Sequence, residues 1–286
     1  MNLDGVGIWS SQLRYSDPSE AADAAAELDE LGFSALWIPD VGGAVLDAVA
    51  NLLGATKNAT IATGILNIWM HEPKDVAAAH ATLTGTHGDR FLLGIGVSHA
   101  PLIDAKEPGR YRKPMAAIGT FLDGLDDADL PVAPENRVLA ALGPKMLKTA
   151  AERSRGAHPY LVTPEHTAIA RETLGAAPLL LPEQTVILAE DRDEARTIGT
   201  NWLRNYLAMP NYVNNLLRLG FTDEDVASVS DRLFDGVIAW GDEEAVVDRI
   251  RKHQQAGADH VCVQVLSANQ AEFPTDQWRR LASAVR

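Results

Sequence analysis

The sequence predicts an α/β fold: a single (β/α)8 TIM-type barrel with a helical insertion between its seventh and eighth strands. Three observations lead there. Eight short apolar runs each precede a helical stretch, and 286 residues divide into about 36 per unit, the scale of one βα module. The runs are apolar throughout rather than alternating, as expected of parallel strands covered on both faces. No polar or Pro/Ser-rich linker interrupts the series, so residues 1–286 read as one domain, with insertions at about 100–113 and 193–240. A doubly wound open sheet is the alternative reading.

Each element has its own signal. Gly5–Ser11 is the first strand. Asp17-Pro18-Ser19-Glu20 then offers an N-cap, a proline at the first helical position and an early acid. Ala21, Ala25, Leu28 and Leu31 keep helical spacing, and Gly32 is the stop. Ser34–Asp40 is the second strand, Val45–Gly54 a helix, Thr60–Ile68 the third strand and Pro73–Gly88 a helix. Phe91–Val97 is the fourth strand, and Pro101–Lys113 is punctuated like a long loop. After the helix Pro114–Leu125 come a fifth strand at Val138–Leu142, a helix from Gly143-Pro144 and a sixth strand at Pro159–Val162. Thr163-Pro164 opens the next helix, and Thr185–Ala189 is the seventh strand. Asp193–Ile238 is mostly helical with breaks at Pro210 and Gly220. Glu243–Gln255 is the last crossover, His260–Leu266 the eighth strand, and a short helix from Asp276 closes the chain. Gly32, Gly88, Gly156 and Gly257 read as repeated helix stops before strands.

Composition narrows the function. A net charge of −14 argues against a nucleic-acid or anionic-membrane binder, which needs a basic surface. The single cysteine, Cys262, makes no intrachain disulfide and no cysteine zinc site, so a cytoplasmic protein is expected. No run approaches the roughly 20 apolar residues of a spanning helix, and Asp4 near the start speaks against a basic export leader.

A barrel carries its chemistry on the loops after the strand C-termini. That rule selects Trp9, Asp40, Asn67, Trp69, His71, Ser98, His99 and Gly143–Met146. Trp9 and Trp69 either stack on a flat ligand or pack in the rim. There is no H-E-x-x-H or H-x-H ligand set, so no metal is expected. Gly94-Ile95-Gly96-Val97-Ser98-His99 begins like a dinucleotide fingerprint but lacks its third glycine and follows the wrong strand. Two features survive. Gly143-Pro144-Lys145-Met146 is either an ordinary βα turn or an anion site of free helix amides aided by Lys145 and Lys148. Gly64, inside Thr63-Gly64-Ile65-Leu66-Asn67, marks a closure kink or a close backbone approach to a ligand.

These pieces, in this order, resemble the luciferase-like monooxygenase superfamily, and within it the actinobacterial branch that uses the deazaflavin coenzyme F420. The matching stretches are Gly32–Val41, Ala62–Trp69, Asp89–Pro101, Tyr111–Pro114, Ala140–Ser154 and Ala256–Val265. The resemblance implies a TIM barrel that binds a flavin or deazaflavin at its mouth, often as a homodimer. It implies a non-prolyl cis peptide at the end of strand three, mapping to Gly64–Ile65, that backs the cofactor ring. Asn67 would then reach the ring edge, Asp40 would stand near the hydride-transfer face, and Gly143, Pro144, Lys145 and Met146 would form the phosphate turn. Trp9, Ser98 and His99 complete the implied cofactor contacts. Many deazaflavin dehydrogenases carry a glycine-glutamate pair after strand four; Val97-Ser98-His99 stands there instead, which passes the proton-donor role to His99 or Asp40.

The expected activity is hydride transfer between C5 of F420 and a small organic substrate. One alternative is an FMN-dependent two-component monooxygenase; the two readings exclude each other in practice, because deazaflavin lacks N5 and does not support the peroxide route to oxygen insertion. Another is a catalytically inert, cofactor-binding barrel. Trp202–Phe221 reads either as a cap on the substrate pocket, as an oligomer contact or as a packed helix pair. The basic half of Pro101–Lys113 reads as a guide for an anionic cofactor tail or as a solvated loop.

Overall fold

The computed structural model describes residues 1 and 3–285. Eleven strand segments form one all-parallel sheet. They are β1 (Val6–Trp9), β2 (Ala35–Ile38), β3 (Thr60–Thr63), β4 (Leu66–Asn67), β5 (Phe91–Gly96), β6 (Arg137–Leu139), β7 (Gly156–Ala157), β8 (Leu179–Leu180), β9 (Glu183–Leu188), β10 (Ile238–Gly241) and β11 (Val261–Val265). The stretch 179–188 closes the ring. Its first part, β8, pairs with β7, and its continuation, β9, pairs with β11. Leu181 N donates to Ala157 O at 2.9 Å on one side, and Cys262 N donates to Pro182 O at 3.0 Å on the other. Counting β3 with β4 and β8 with β9 as single bent strands leaves eight staves plus β10.

The helices are α1 (Gln12–Tyr15), α2 (Pro18–Glu30), α3 (Val45–Ala55), α4 (Pro73–His87), α5 (Ala100–Asp104), α6 (Pro114–Asp126), α7 (Pro144–Arg153), α8 (Pro164–Leu174), α9 (Arg192–Leu207), α10 (Pro210–Arg218), α11 (Asp223–Ser228), α12 (Asp231–Val237), α13 (Glu243–Gln255) and α14 (Thr275–Ala284). Local chemistry sets their starts. The Asp17 carboxylate accepts from Ser19 N and Glu20 N ahead of Pro18, and Thr163 accepts from His166 N ahead of Pro164. Three glycines that punctuate the sequence, Gly32, Gly88 and Gly257, do take positive φ.

Side chains alternate across the sheet. Ile8, Leu36, Ile61, Phe91, Leu93 and Val263 join the main core cluster with the α2, α3 and α4 residues Leu28, Val49, Leu52 and Val76. Trp9, Ala35, Trp37, Ala62, Leu92, Val138, Leu181 and Cys262 form a separate cluster. Trp37 anchors it: its ring stacks on His158 at 4.4 Å, and its indole N–H donates to His260 Nε2 at 3.3 Å. A third cluster belongs to the strand-seven excursion, where Trp202, Leu203, Tyr212, Leu216, Leu233 and Phe234 pack together.

Four sequence expectations need correction. The sixth strand is not Pro159–Val162 but the short β7 just before it, because Leu161 takes φ 55° and leaves the ladder. Gly156 is therefore no helix stop; it lies in β7 against Leu179, where a Cβ would meet the Leu179 carbonyl oxygen at 1.9 Å. The loop Pro101–Lys113 contains a helical turn, α5. The excursion ends in an additional strand, β10, which pairs with β9 in register Ile238↔Thr185. No helix among the described residues is long and apolar enough to cross a membrane.

Candidate active site

The strand C-termini open on a cavity of about 780 Å³, within the usual range for small-molecule and cofactor sites. One wall is built by Trp9, Gly64 and Ile65. The Gly64–Ile65 peptide is cis and divides the third stave into β3 and β4. The Trp9 indole N–H donates to Gly64 O at 2.9 Å. A glycine is needed here, since a Cβ on Gly64 would lie 2.7 Å from Trp9 Nε1. Below it, His158 is 1% exposed, and its Nδ1 meets Leu181 O at 2.7 Å. Nδ1 thus carries the proton. Nε2 has no partner, and burial pushes the ring's pKa down to about 4, so the imidazole is neutral at ordinary pH.

Asp40 also faces the cavity, but its carboxylate is committed. Oδ2 accepts from Asn67 N at 3.1 Å and pairs with His71 Nε2 at 2.8 Å, and Oδ1 accepts from Gly42 N at 3.3 Å. These bonds tie the end of β2 to β4, which makes Asp40 a positioning group. Asn67 does not reach the cavity; its side-chain oxygen accepts from Trp69 N at 3.1 Å. Trp69 is likewise off the wall, donating to Val97 O at 2.7 Å and packing against Tyr111. Asp40→Ala strands two backbone donors, one of them buried, and should cost roughly 3 kcal/mol, read as a lower midpoint in thermal denaturation.

Ser98 and His99 follow β5 onto the wall, Ser98 with φ 53°. His99 Nδ1 lies 3.0 Å from Asn211 Oδ1, which places the proton on Nδ1 and leaves the Nε2 lone pair free. Burial lowers the pKa of His99 despite the Asn211 bond. The ring is therefore a neutral acceptor, better suited to taking a proton than to supplying one.

At the turn into α7, Gly143 and Met146 line the cavity, whereas Pro144 and Lys145 are exposed and do not. Leu147 N is taken by Gly143 O at 3.0 Å. The amides of Lys145 and Met146 have no helix carbonyl to meet and form the positive end of α7. Arg218 of α10 stands behind it without lining the cavity: its Nη2 donates to Asn215 Oδ1 at 3.0 Å and lies 3.7 Å from the place a Gly143 Cβ would take. Nothing in the local sequence announces Arg218, 75 residues downstream. Two of the basic residues in the loop expected to guide an anionic tail are engaged with neighbouring loops. Lys106 donates to Val41 O at 3.3 Å and Arg110 to Trp69 O at 2.6 Å, bracing the loops against each other.

The excursion supplies the remaining wall with Trp202, Asn205, Tyr206, Met209, Asn211 and Tyr212. Tyr160 OH lies 2.8 Å from Tyr206 OH and 2.5 Å from Gln264 Oε1. A phenol has one proton, and the amide oxygen can only accept. The chain therefore runs from Tyr206 to Tyr160 to Gln264. Burial pushes the Tyr206 phenol up to about 12, and those of Tyr160 and Tyr212 well above their usual value. Of this group, only the excursion residues are foreshadowed, by the aromatic run from Trp202; Tyr160 and Gln264 carry no sequence signal beyond their place near strand ends. Among the described residues, no group of three or more His, Cys, Asp or Glu side chains is placed to hold a metal ion.

Comparison with known proteins places the chain among luciferase-like enzymes. The model of the luciferase-like monooxygenase family matches residues 4–125 and 110–260. A Mycobacterium tuberculosis protein provisionally named a coenzyme F420-dependent oxidoreductase is 23% identical over 351 aligned positions, which span 98% of this chain and 97% of that one. Among solved structures, the coenzyme F420-dependent tetrahydromethanopterin reductase from Methanopyrus kandleri superposes with a TM-score of 0.80 at 18% identity, covering 99% of both chains. The oxygenating constituent of 3,6-diketocamphane monooxygenase from Pseudomonas putida, in complex with FMN, superposes with a TM-score of 0.70 at 14% identity, covering 99% of this chain and 97% of that one.

Proposed function

The chain belongs to the luciferase-like monooxygenase family, and from that premise we propose that it is a coenzyme F420-dependent oxidoreductase acting on a small organic substrate. The observation that carries this reading is the cavity itself. One side offers the Trp9–Gly64–Ile65 face to a flat ring, and the far side offers the start of α7 at Gly143 and Met146 to an anion, with the Arg218 guanidinium close behind Gly143. A planar heterocycle with a phosphorylated tail matches that division. The relative named for F420 spans nearly the whole chain and supports the choice of deazaflavin over FMN.

The residues present fit the group. Trp9, Gly64, Ile65 and Ser98 would hold the ring; Gly143 and Met146 would hold the phosphate, with the charge of Arg218 behind them. When bound, the deazaflavin supplies or accepts a hydride at C5. The chain's own residues orient the two reactants, exclude water and manage the proton. His99 is placed for the last of these, Asp40 only for the first.

Titration of the purified protein with F420 and with FMN, followed by fluorescence, tests the reading. F420 should bind at least ten-fold tighter. Tight FMN binding without response to F420 would assign the protein to the flavin-dependent monooxygenases, and binding of either without turnover across enones, imines and alcohols would favour the inert cofactor-binding barrel. Gly143→Asp sharpens the result. The site is open to a side chain, with Arg218 Nη2 at 3.7 Å from its Cβ, and an aspartate there would cap α7. The variant should fold at least as well as the parent while its carboxylate fills the anion site, lowering F420 affinity roughly 100-fold, as loss of about 3 kcal/mol implies.

A further inference from the structure

The excursion half of the cavity is walled by aromatic rings that the cofactor contacts above do not use. Tyr206 of α9 stands at their centre, with ring centroids 4.5 Å from Trp202, 5.3 Å from Tyr160 and 5.6 Å from Tyr212. All four line the cavity, and Trp9, 5.3 Å from Tyr160, continues the wall. Among the described residues no lysine or arginine lines the cavity, and the one lining carboxylate is that of Asp40. A second carboxylate lies behind the rings. Glu183 of β9 is 1% exposed; Thr185 Oγ1 and Leu161 N donate to it, and it forms no ion pair with a described residue. Its charge is felt at the wall. Burial raises the phenols of Tyr160, Tyr206 and Tyr212, and the Glu183 carboxylate adds to the rise at each. A field that opposes negative charge at three phenols favours positive charge in the space beside them.

Ring π-systems and a buried carboxylate without an ion pair are both complementary to a cation, and the same surroundings reject an anion. We propose that Trp202, Tyr206, Tyr212 and Tyr160, with Glu183 behind them, form an aromatic cage for an organic cation, so that the substrate is an apolar molecule of the iminium or pyridinium type. The proton inventory agrees. His99 is a neutral acceptor, Asp40 is committed to Asn67, His71 and Gly42, and the Tyr212 phenol is held well above its usual value by burial. None of these readily gives a proton to a substrate heteroatom. A C=N+ group needs none. Its carbon takes a hydride, with the electron pair, from C5 of the reduced deazaflavin; a C–H bond forms, and the π pair of the broken double bond stays on nitrogen as a lone pair. The reduced cofactor, now oxidised, releases its N1 proton to water, and a neutral amine remains. The hydride donor rests on the deazaflavin reading; the cation cage does not.

The test is equilibrium binding of N-methylquinolinium and of 1-methylnaphthalene, which has the same two rings and methyl group without the charge, by isothermal titration calorimetry. The pH is 8.5, where Glu183, raised by burial to about 7, is ionised. Both ligands are tested on F420-loaded and unloaded protein, with F420 affinity measured separately. The parent should bind the cation at least ten-fold tighter. Tyr212→Leu should remove most of that preference, and Tyr212→Phe, which keeps a ring, should retain it; both should leave F420 affinity within two-fold. Glu183→Gln removes the charge and keeps the shape, so cation affinity should fall several-fold while 1-methylnaphthalene binds as before. A parent that binds the two ligands alike or prefers the neutral one overturns the cage, and so does a full preference in either Tyr212→Leu or Glu183→Gln. Absence of F420 binding with the cation preference intact overturns the deazaflavin reading instead.

Discussion

Between pH 7.5 and pH 5 the protein is expected to lose about 4 kcal/mol of stability through four buried groups. Burial pushes His253 down to about 3 and both His158 and His260 down to about 4. Two of the rings are held through both nitrogens, His253 between Thr167 and Gln184 and His260 between Leu3 O and the Trp37 indole, and His158 donates from Nδ1 to Leu181 O. A lowered histidine pKa means the unfolded chain binds the extra proton first. The stability is fully present above the unfolded value near 6.5 and is lost as pH falls toward the folded value. At pH 5 each ring has given up about 2 kcal/mol, roughly 6 in all, since every tenfold difference in proton affinity between the folded and unfolded chain is worth about 1.36 kcal/mol. His80, His99 and His166 are lowered as well and act in the same direction.

Glu183 opposes them. It is 1% exposed, and burial raises its carboxyl to about 7 even though Thr185 Oγ1 and Leu161 N both donate to it. A raised carboxyl pKa destabilises the fold as pH climbs from the unfolded value to the folded one, so acidification to pH 5 relieves about 2 kcal/mol. The net of about 4 follows from these two opposing sums. Thermal melts at the two pH values measure it. Glu183→Gln should steepen the acid loss to about 6 kcal/mol and raise stability above pH 7. Equal melting temperatures at pH 7.5 and pH 5 would show that these histidines are not held neutral by the fold.

What the sequence makes legible follows from the range of the interactions. Helix starts such as Asp17-Pro18 and Thr163-Pro164 are settled within four residues, and the structure places α2 and α8 there. The strand runs are readable because both faces of the sheet are covered. The sixth strand is misplaced because Pro159–Val162 is as apolar as a strand, yet its burial comes from the cavity wall and the excursion, where Tyr160 meets Tyr206. Strand β10 escapes notice because it follows α12 with no turn residue between them. At the site, the same division holds. Trp9, Asp40, Gly64, Ile65, Ser98, His99, Gly143 and Met146 sit at strand ends, and the barrel rule finds such positions. Arg218, Tyr160, Tyr212 and Gln264 meet them only through tertiary contact. Asn67, Pro144 and Lys145 show the converse: their positions near a strand end are as expected, but the Asn67 side chain is engaged with Trp69 and those of Pro144 and Lys145 are exposed, off the cavity wall.

Gly94→Ala should be among the most damaging single methyl additions in the molecule. Gly94 sits in mid β5, where it pairs with Val138 of β6, while Thr63 Oγ1 donates to its carbonyl at 2.7 Å. A Cβ at Gly94 would lie 1.9 Å from the Thr63 carbonyl oxygen. No rotamer relieves that contact, because both partners are backbone or fixed to it. Thr63 must move, and with it Gly64 and Ile65, which form the cavity wall. Overpacking with a flexible neighbour costs about 1–3 kcal/mol; a backbone neighbour puts this variant above that range, so the melting temperature should fall by roughly 6 °C or more. Ligand binding should fail in whatever fraction still folds, since the wall itself has shifted. Gly85→Ala is the control. It lies within α4 with nothing inside 4 Å of its Cβ and should gain about 0.5–1 kcal/mol from helix propensity alone. The paired outcome separates two reasons for glycine in one barrel. A Gly94→Ala protein as stable as the parent would mean that β3 and β5 approach less closely than this, and the tight packing of Thr63 on Gly94 would have to be abandoned.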